Sequence, residues 1–441
     1  MEALLREKAN LILKESLKGA NPELCVKRFL KLKNGYIETG DFRRKLEEIR
    51  RIFVVGAGKA SALMAQATEE VLGELIDSGA IVSKTGYEAS LKKIELFFGS
   101  HPIPDQSGIL GTERIIEILS QASENDLVIC LLSGGGSALL TSPLEGIDLE
   151  DKKKITSLLL ECGANIDEIN TIRKHISRVK GGKLAKLAYP AQIVSLILSD
   201  VIGDRLDSIA SGPTAPDPTT FGDCLEILEK YELINEIPET IKKFLEENQN
   251  KKDFETLKSG DSIFEKVKNI IVGSNVLALK EAERKAKELD FNILILSSTI
   301  SGDTREAAFK HAELARKIRV EGKIVPTPAC VISGGETTVK VKGDGLGGRN
   351  QEFALVSAIQ IEGLKDVVIA SLNTDGTDGP TDAAGAVCDG FTVSRAKKLN
   401  LNPEEYLEQN DSYHFFEKLG DLIKTGPTNT NVMDIHLILA G

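Results

Sequence analysis

Tryptophan is absent from this chain of 441 residues, and aromatic residues make up only 5% of it. A surface that stacks successive bases needs aromatic faces, so a single-strand nucleic-acid platform is not expected. Positive charge is also in the minority. Lys and Arg number 55 against 66 Asp and Glu, a formal net charge of −11. That balance argues against a nucleic-acid partner, although a locally positive site can still receive a small anion. There is no long apolar run, so no membrane span is expected. The opening MEALLREKANLILKESLKG has the spacing of an amphipathic helix with acids inside it, not that of a signal peptide. The six cysteines (Cys25, Cys130, Cys162, Cys224, Cys330 and Cys388) lie far apart with no Cys-x-x-Cys pair. Cys130 and Cys330 sit in apolar runs and read as small core residues. The five histidines are scattered too, so no soft metal cluster is expected and the chain reads as cytoplasmic.

The length exceeds what one ordinary core fills, so two domains are expected, 1–245 and 246–441. Short apolar strands alternate with helical patterns in both halves, which indicates two α/β domains. The first reads as Rossmann-like with a parallel sheet and the second as carrying a mixed sheet, with the active site in the cleft between them. The charged stretch 221–268 reads as largely helical, broken by the polar ENQNKKD, and 269–273 reads as the first strand of the second domain.

Glycine marks the places where chemistry is expected. The strand RIFVV leads into Gly56-Ala57-Gly58-Lys59-Ala60-Ser61 and a helix. Position 61 is serine where a dinucleotide turn needs its third glycine, and the Walker A spacing is missing. What remains is Lys59 at a helix start, where the backbone disfavours positive charge unless an anion is bound. Another strand, 126–132, opens onto Ser133, Gly134, Gly135, Gly136 and Ser137, a phosphate-cradle pattern. It is not the G-x-S-x-G of a serine nucleophile. His101, in a His-Pro-Ile-Pro-Asp loop, reads as a turn residue. The stretch NTIRKHISRVKGGK, 170–183, crowds six basic residues; it suits either an anion site or a solvated helix. Asp200 follows strand 193–198 at its carboxyl end, where open α/β sheets place ligands.

In the second half, ISGGETTVKVKGDGLGGRNQE spans 332–352. Gly334, Gly335 and Glu336 read as a backbone nest for a bound nucleotide, 337–342 as a strand edge, and Gly343 to Gly348 as a tight bend presenting Arg349. A guanidinium there suits a carboxylate or phosphate, since its planar fork binds two oxygens at once. Asp375, Asp378 and Asp382 are closely spaced after strand 367–371 and suit Mg²⁺ or ligand hydroxyls; the spacing is not that of an EF-hand. The glycine loops 56–61, 134–136 and 343–348 are expected to open on one cleft.

Taken together and in order, VVGAGKA, LLSGGGSALL, RKHISRVKGGKLA, LSDVIGD, ASGPT, GGETTV, GGRNQE, NTDGTDGPTDAAG and GPTNTNVMD resemble the glycerate 2-kinase family, whose C-terminal part is the MOFRL domain, about 325–436 here. The resemblance implies transfer of the γ-phosphoryl group of ATP to the 2-hydroxyl of D-glycerate, giving 2-phosphoglycerate and ADP, with a divalent metal, Mg²⁺ being the one expected. Lys59 and Arg349 match the family's main active-site lysine and arginine. On this reading ATP phosphates lie on 134–136, and Asp200, Asp375 or Asp378 holds the metal. Asp200 or Asp375 accepts the hydroxyl proton, and Lys59 or Arg349 clamps the glycerate carboxylate. The partners expected are D-glycerate and ATP, with a homodimer as a possible assembly. Relatives have also borne the label hydroxypyruvate reductase, so an NAD(P)H-dependent reductase is the alternative, with a non-enzymatic anion-binding protein as a third reading.

Overall fold

The computed structural model describes residues 2–249, 251 and 253–441. Three short strands come first: β1 (Lys31–Lys33), β2 (Tyr36–Thr39) and β3 (Phe42–Lys45), an antiparallel meander. The helix Pro22–Phe29 stops just before the meander.

The main sheet of the N-terminal unit contains β4 (Ile52–Ala57), β5 (Ile76–Lys84), β6 (Ile94–Gly99), β7 (Leu127–Leu132), β8 (Gln192–Leu198) and β9 (Val267–Gly273). Its order is β6-β5-β4-β7-β8-β9, and the pairs from β6 through β8 are parallel. Strands β4 and β7 are buried along their whole length. This is why IFVVGA and LVICLL read as continuous apolar runs: a parallel sheet is covered on both faces. The chain leaves β4 for β5 on one side and returns to β7 on the other. The order therefore reverses between β4 and β7, and the carboxyl ends of those two strands border the crevice where such sheets take ligands. A satellite of helices packs around Ile155, Ile172, Phe221 and Leu245.

The sheet of the C-terminal unit contains β10 (Asn292–Asp303), β11 (Ala329–Thr338), β12 (Val367–Asn373), β13 (Gly385–Asp389), β14 (Leu422–Ile423) and β15 (Asp434–Ala440). The order is β10-β11-β15-β12-β13-β14. It is mixed: β10 and β11 are parallel and the remaining pairs antiparallel. The last strand, β15, is buried at every residue and lies between β11 and β12. The unit's core gathers Phe353, Leu355, Ile369, Phe415, Phe416 and Ile438.

Two α/β units are thus present, but their limits differ from 1–245 and 246–441. One unit is residues 22–272, the other 1–21 with 273–441. Strand β9, expected to open the second domain, completes the first sheet beside β8. The first helix, Glu2–Gly19, belongs to the C-terminal unit because Arg6 forms ion pairs with Asp389 (2.5 Å) and Asp421 (2.9 Å). The polar stretch 247–253 includes Asn250 and Lys252, which lie outside the described residues. Among the described residues no helix is long and apolar enough to cross a membrane.

Candidate active site

The turn after β4 and the turn after β7 are bonded to each other. The Lys59 amide donates to the Gly134 carbonyl (2.9 Å) and the Ala60 amide to Ser133 Oγ (3.0 Å). Two glycines make this possible. Gly135 has φ +82°, a left-handed backbone that side chains rarely adopt, and a Cβ there would stand 3.1 Å from His101 and 3.3 Å from the Lys59 side chain. At Gly134 an added Cβ would come 2.1 Å from Asp200 Oδ2. Lys59, His101 and Asp200 therefore surround the Ser133–Ser137 turn, and the structure brings together every site residue expected in the first half.

His101 stands against Gly135 of this turn. Burial, then the charges of Lys59, Lys84 and Arg173, push its imidazole down to about 4, so it is neutral at physiological pH. In the same turn, Ser137 Oγ lies 2.7 Å from Ser211 Oγ, which donates to Asn170 Oδ1 (3.1 Å). Ala210 and Ser211 hold φ of +51° and +61°. Two adjacent non-glycine residues in that region mark strain held by the surrounding structure.

The basic stretch 170–183 is not a solvated helix. Most of it is buried, and its charges divide into two groups. Lys174 pairs with Asp217 (3.0 Å), His175 with Glu255 (2.7 Å) and Arg178 with Glu113 (2.6 Å). Arg173, Lys180 and Lys183 form no ion pair among the described residues, and Lys183 Nζ donates to the Lys174 carbonyl (3.4 Å). Arg173 Nη2 donates to the Ser137 carbonyl (3.0 Å), and Lys180 Nζ to that of Ala210 (3.4 Å).

In the C-terminal unit the expected nest at Gly334–Glu336 is the interior of β11. Gly334 faces Ile435 and Gly335 faces Asp434 across the ladder. Their missing side chains leave room for neighbours, since a Cβ would stand 2.2 Å from Asn275 Oδ1 at Gly334 and 2.1 Å from the Ile300 carbonyl at Gly335. They are packing glycines of a strand, not a phosphate turn. The strand edge expected at 337–342 ends at Thr338.

Arg349 opens the helix Arg349–Gln360 and lines a cavity of about 490 Å³ with Thr338, Gly348, Glu352, Asn373 and Pro380. Its Nε and Nη2 donate to the two carboxylate oxygens of Asp434 (2.7 and 3.0 Å), and Nη1 donates to Glu336 (2.7 Å). Burial disfavours this guanidinium, but the Asp434 carboxylate more than offsets it and raises its affinity for its proton. The side-on edge of the fork is therefore occupied from within the protein. A ligand can reach only the end-on edge, by displacing the exposed Glu336. Asp434 received no role in the sequence reading; it sits in the GPTNTNVMD motif and is fully buried.

The aspartates after β12 have separate tasks. Asp378 is buried and both its oxygens are committed: Oδ1 accepts from the Asn350 amide (3.1 Å) and side chain (3.2 Å), and Oδ2 from the Gln351 amide (2.8 Å). It fastens the first turn of the Arg349 helix, and the metal role expected of it is corrected on that ground. Asp375, half-buried just beyond β12, accepts at Oδ1 from the amide and hydroxyl of Thr377 (2.8 and 3.0 Å), closing a turn. Asp382 pairs with Lys424 (2.9 Å). Among the described residues no three His, Cys, Asp or Glu side chains converge as a metal cage. Mg²⁺ does not require one, since it commonly takes one or two carboxylates and completes its shell with phosphate oxygens and water. Asp200, with its carboxylate against the glycine turn, fits that arrangement.

Comparison with known proteins gives a consistent result. Residues 8–246 match a family described as a domain of unknown function, DUF4147, and residues 329–434 match the MOFRL family. A D-glycerate 2-kinase of Thermotoga maritima is 42% identical, covering 98% of this chain and 97% of its own length. A glycerate 2-kinase of Pyrococcus horikoshii is 41% identical, covering 99% and 97%. The crystal structure of a glycerate kinase from Thermotoga maritima superposes with a TM-score of 0.90 at 41% identity over the whole of both chains.

Proposed function

The chain belongs to the glycerate kinase family that joins a DUF4147 domain to a MOFRL region, and from that premise we propose how its own residues carry the reaction. The activity is ATP-dependent phosphorylation of D-glycerate at the 2-hydroxyl, giving 2-phosphoglycerate and ADP. The observation that carries the residue assignment is the junction of the β4 and β7 turns, where glycine backbone, Lys59 and Asp200 meet.

Phosphoryl transfer asks mainly for alignment and for neutralised charge, with little covalent work for the protein. The turn Ser133–Ser137 receives the nucleotide phosphates, its small residues letting the backbone approach closely. Lys59, anchored through its amide to Gly134, directs its ammonium at the transferring phosphoryl group. Asp200 holds Mg²⁺, which when bound offsets charge on the phosphate oxygens. Arg349 offers its end-on edge to the glycerate carboxylate, and the Asp434 pair keeps that edge fixed. Asp375 accepts the 2-hydroxyl proton. A reductase would need a dinucleotide turn after β4, but the third glycine there is Ser61, buried and bonded to the Gly58 carbonyl (2.7 Å). The six thiols are free and five are buried, which suits the cytoplasmic setting expected.

The test is incubation with ATP, Mg²⁺ and D-glycerate and separation of 2- from 3-phosphoglycerate. The 2-isomer should accumulate, stop in excess chelator and resume when Mg²⁺ is returned. Full turnover in chelator would refute the metal assignment, and no phosphorylated product would refute the activity.

A further inference from the structure

Burying a charge without a partner is costly, so proteins rarely do it without a compensating group. Three cations under the Ser133–Leu139 segment break that rule. Lys152, on the helix Leu149–Glu161, is 1% exposed, and its ammonium bonds to Thr141 Oγ1. Lys180 is fully buried and reaches the Ala210 carbonyl (3.4 Å); Ala210 itself packs against Gly136. Arg173 donates to the Ser137 carbonyl, while its Nε is buried with no hydrogen-bond partner. No carboxylate forms an ion pair with any of the three among the described residues. Every neighbour that they bond is a carbonyl or hydroxyl of the glycine turn or of the segments packed on it. Of their basic neighbours in sequence, Lys174, His175 and Arg178 each have an acid, and Lys183, which reaches the Lys174 carbonyl (3.4 Å), lies in the field of Glu255 and Asp217, so the three facing this turn are left without one.

We propose that Lys152, Arg173 and Lys180 form a buried positive platform beneath the glycine turn, and that its counter-charge is the oxyanion of a ligand bound there. The proposal deepens the functional reading above and rests on it for the ligand's identity. The ligand chemistry is a phosphate or a carboxylate, supplied by ATP or by glycerate. Burial first, then repulsion from Arg173, lowers Lys152 to about 7, and burial, then Lys152 and Arg173, holds Lys180 well below the ordinary lysine range. An arriving oxyanion relieves all three at once. The unliganded protein therefore carries a stored cost that ligand binding removes, and this separates the platform from a merely structural cluster.

The experiment compares wild type with Lys180→Met and Lys152→Met. Melting temperature is read in dilute chloride buffer and again after adding inorganic phosphate or tripolyphosphate at matched ionic strength. Apparent KM for ATP and for glycerate is measured on the same samples. Without oxyanion both variants should melt no lower than wild type, because each loses a buried amine whose charged form has no ion-pair partner. Both should lose the upward shift that phosphate gives wild type, and KM for one substrate should rise about tenfold or more, as loss of a charge-assisted contact predicts. A rise confined to ATP identifies a phosphate over the platform, and one confined to glycerate identifies its carboxylate. If both variants keep the phosphate shift and both KM values, the proposal is overturned. It is equally overturned if both melt lower while still binding phosphate as wild type does. Wild type lacking glycerate turnover would instead defeat the functional reading, while the phosphate melts would still decide the platform.

Discussion

Replacing Asp434 with asparagine tests the link between the buried core of the C-terminal unit and the working edge of Arg349. The carboxylate is fully buried at the start of β15 and accepts three bonds: two from Arg349, at 2.7 and 3.0 Å, and one from Asn350 Nδ2 at 2.9 Å. Asparagine keeps the shape but has one acceptor oxygen, so its amide hydrogens must face a donor on Arg349 or on Asn350. The guanidinium then loses its charge partner in a buried setting. Breaking such a pair from one side costs about 3–5 kcal/mol, mostly because the surviving charge is uncompensated. The change should therefore lower stability by about that amount in urea unfolding. A guanidinium no longer locked side-on presents its end-on edge less accurately. Misplacement of about 1 Å in a positioned group costs up to about a hundredfold in rate, so kcat/KM for glycerate should fall about tenfold to a hundredfold. Arg349→Gln alone and the double variant complete a cycle. The double variant should be less destabilised than the sum of the two single variants, with a coupling of about 2–3 kcal/mol. Asp434→Asn with unchanged unfolding free energy and unchanged kcat/KM would show that the pair neither stabilises the unit nor orients Arg349.

Two further outcomes follow from the first half of the chain. Lys59→Ala should lower kcat/KM about a hundredfold, corresponding to roughly 3 kcal/mol of lost charge stabilisation, with little change in melting temperature because the side chain is only half-buried; a collapsed melt would make the residue structural. The second concerns pH. The folded state holds Lys152 at about 7 and Lys183, also lowered chiefly by burial, at about 8, against 10.5 for a free lysine. Between those values the unfolded chain binds more protons than the folded one, so stability rises with pH, being complete above 10.5 and lost as pH falls through 8 and 7. Melts of the unliganded protein should rise from pH 7 towards 9 more steeply in wild type than in Lys152→Met, and equal slopes would show that Lys152 is not held with a lowered affinity for its proton.

Local pattern determined much of this protein. Apolar runs ending in glycine-rich or polar turns placed β4, β7, β8 and β12, because strands covered on both faces must be apolar throughout and their exits must bend sharply. The convergence of Lys59, Ser133–Ser137 and Asp200 was legible from the same pattern, because the carboxyl ends of neighbouring parallel strands lie side by side. The tertiary structure decided what a linear pattern does not carry. A glycine after an apolar run is the same letter whether it bends a turn, as at 134–136, or clears space inside a sheet, as at Gly334 and Gly335. An aspartate beside a glycine looks equally able to hold a metal whether its oxygens are open or, as at Asp378, already taken by amides of a helix start. Arg349 was visible, but Asp434, 85 residues later, became its partner only when β15 inserted beside β11. The division of charge within 170–183 likewise depended on which acids fold against it, Glu113, Asp217 and Glu255 reaching three of those side chains. Arg173 and Lys180 were left facing the glycine turn. Sequence spacing sets the local backbone and the side-chain chemistry available; long-range packing sets which of those groups are already satisfied, and so which remain for a substrate.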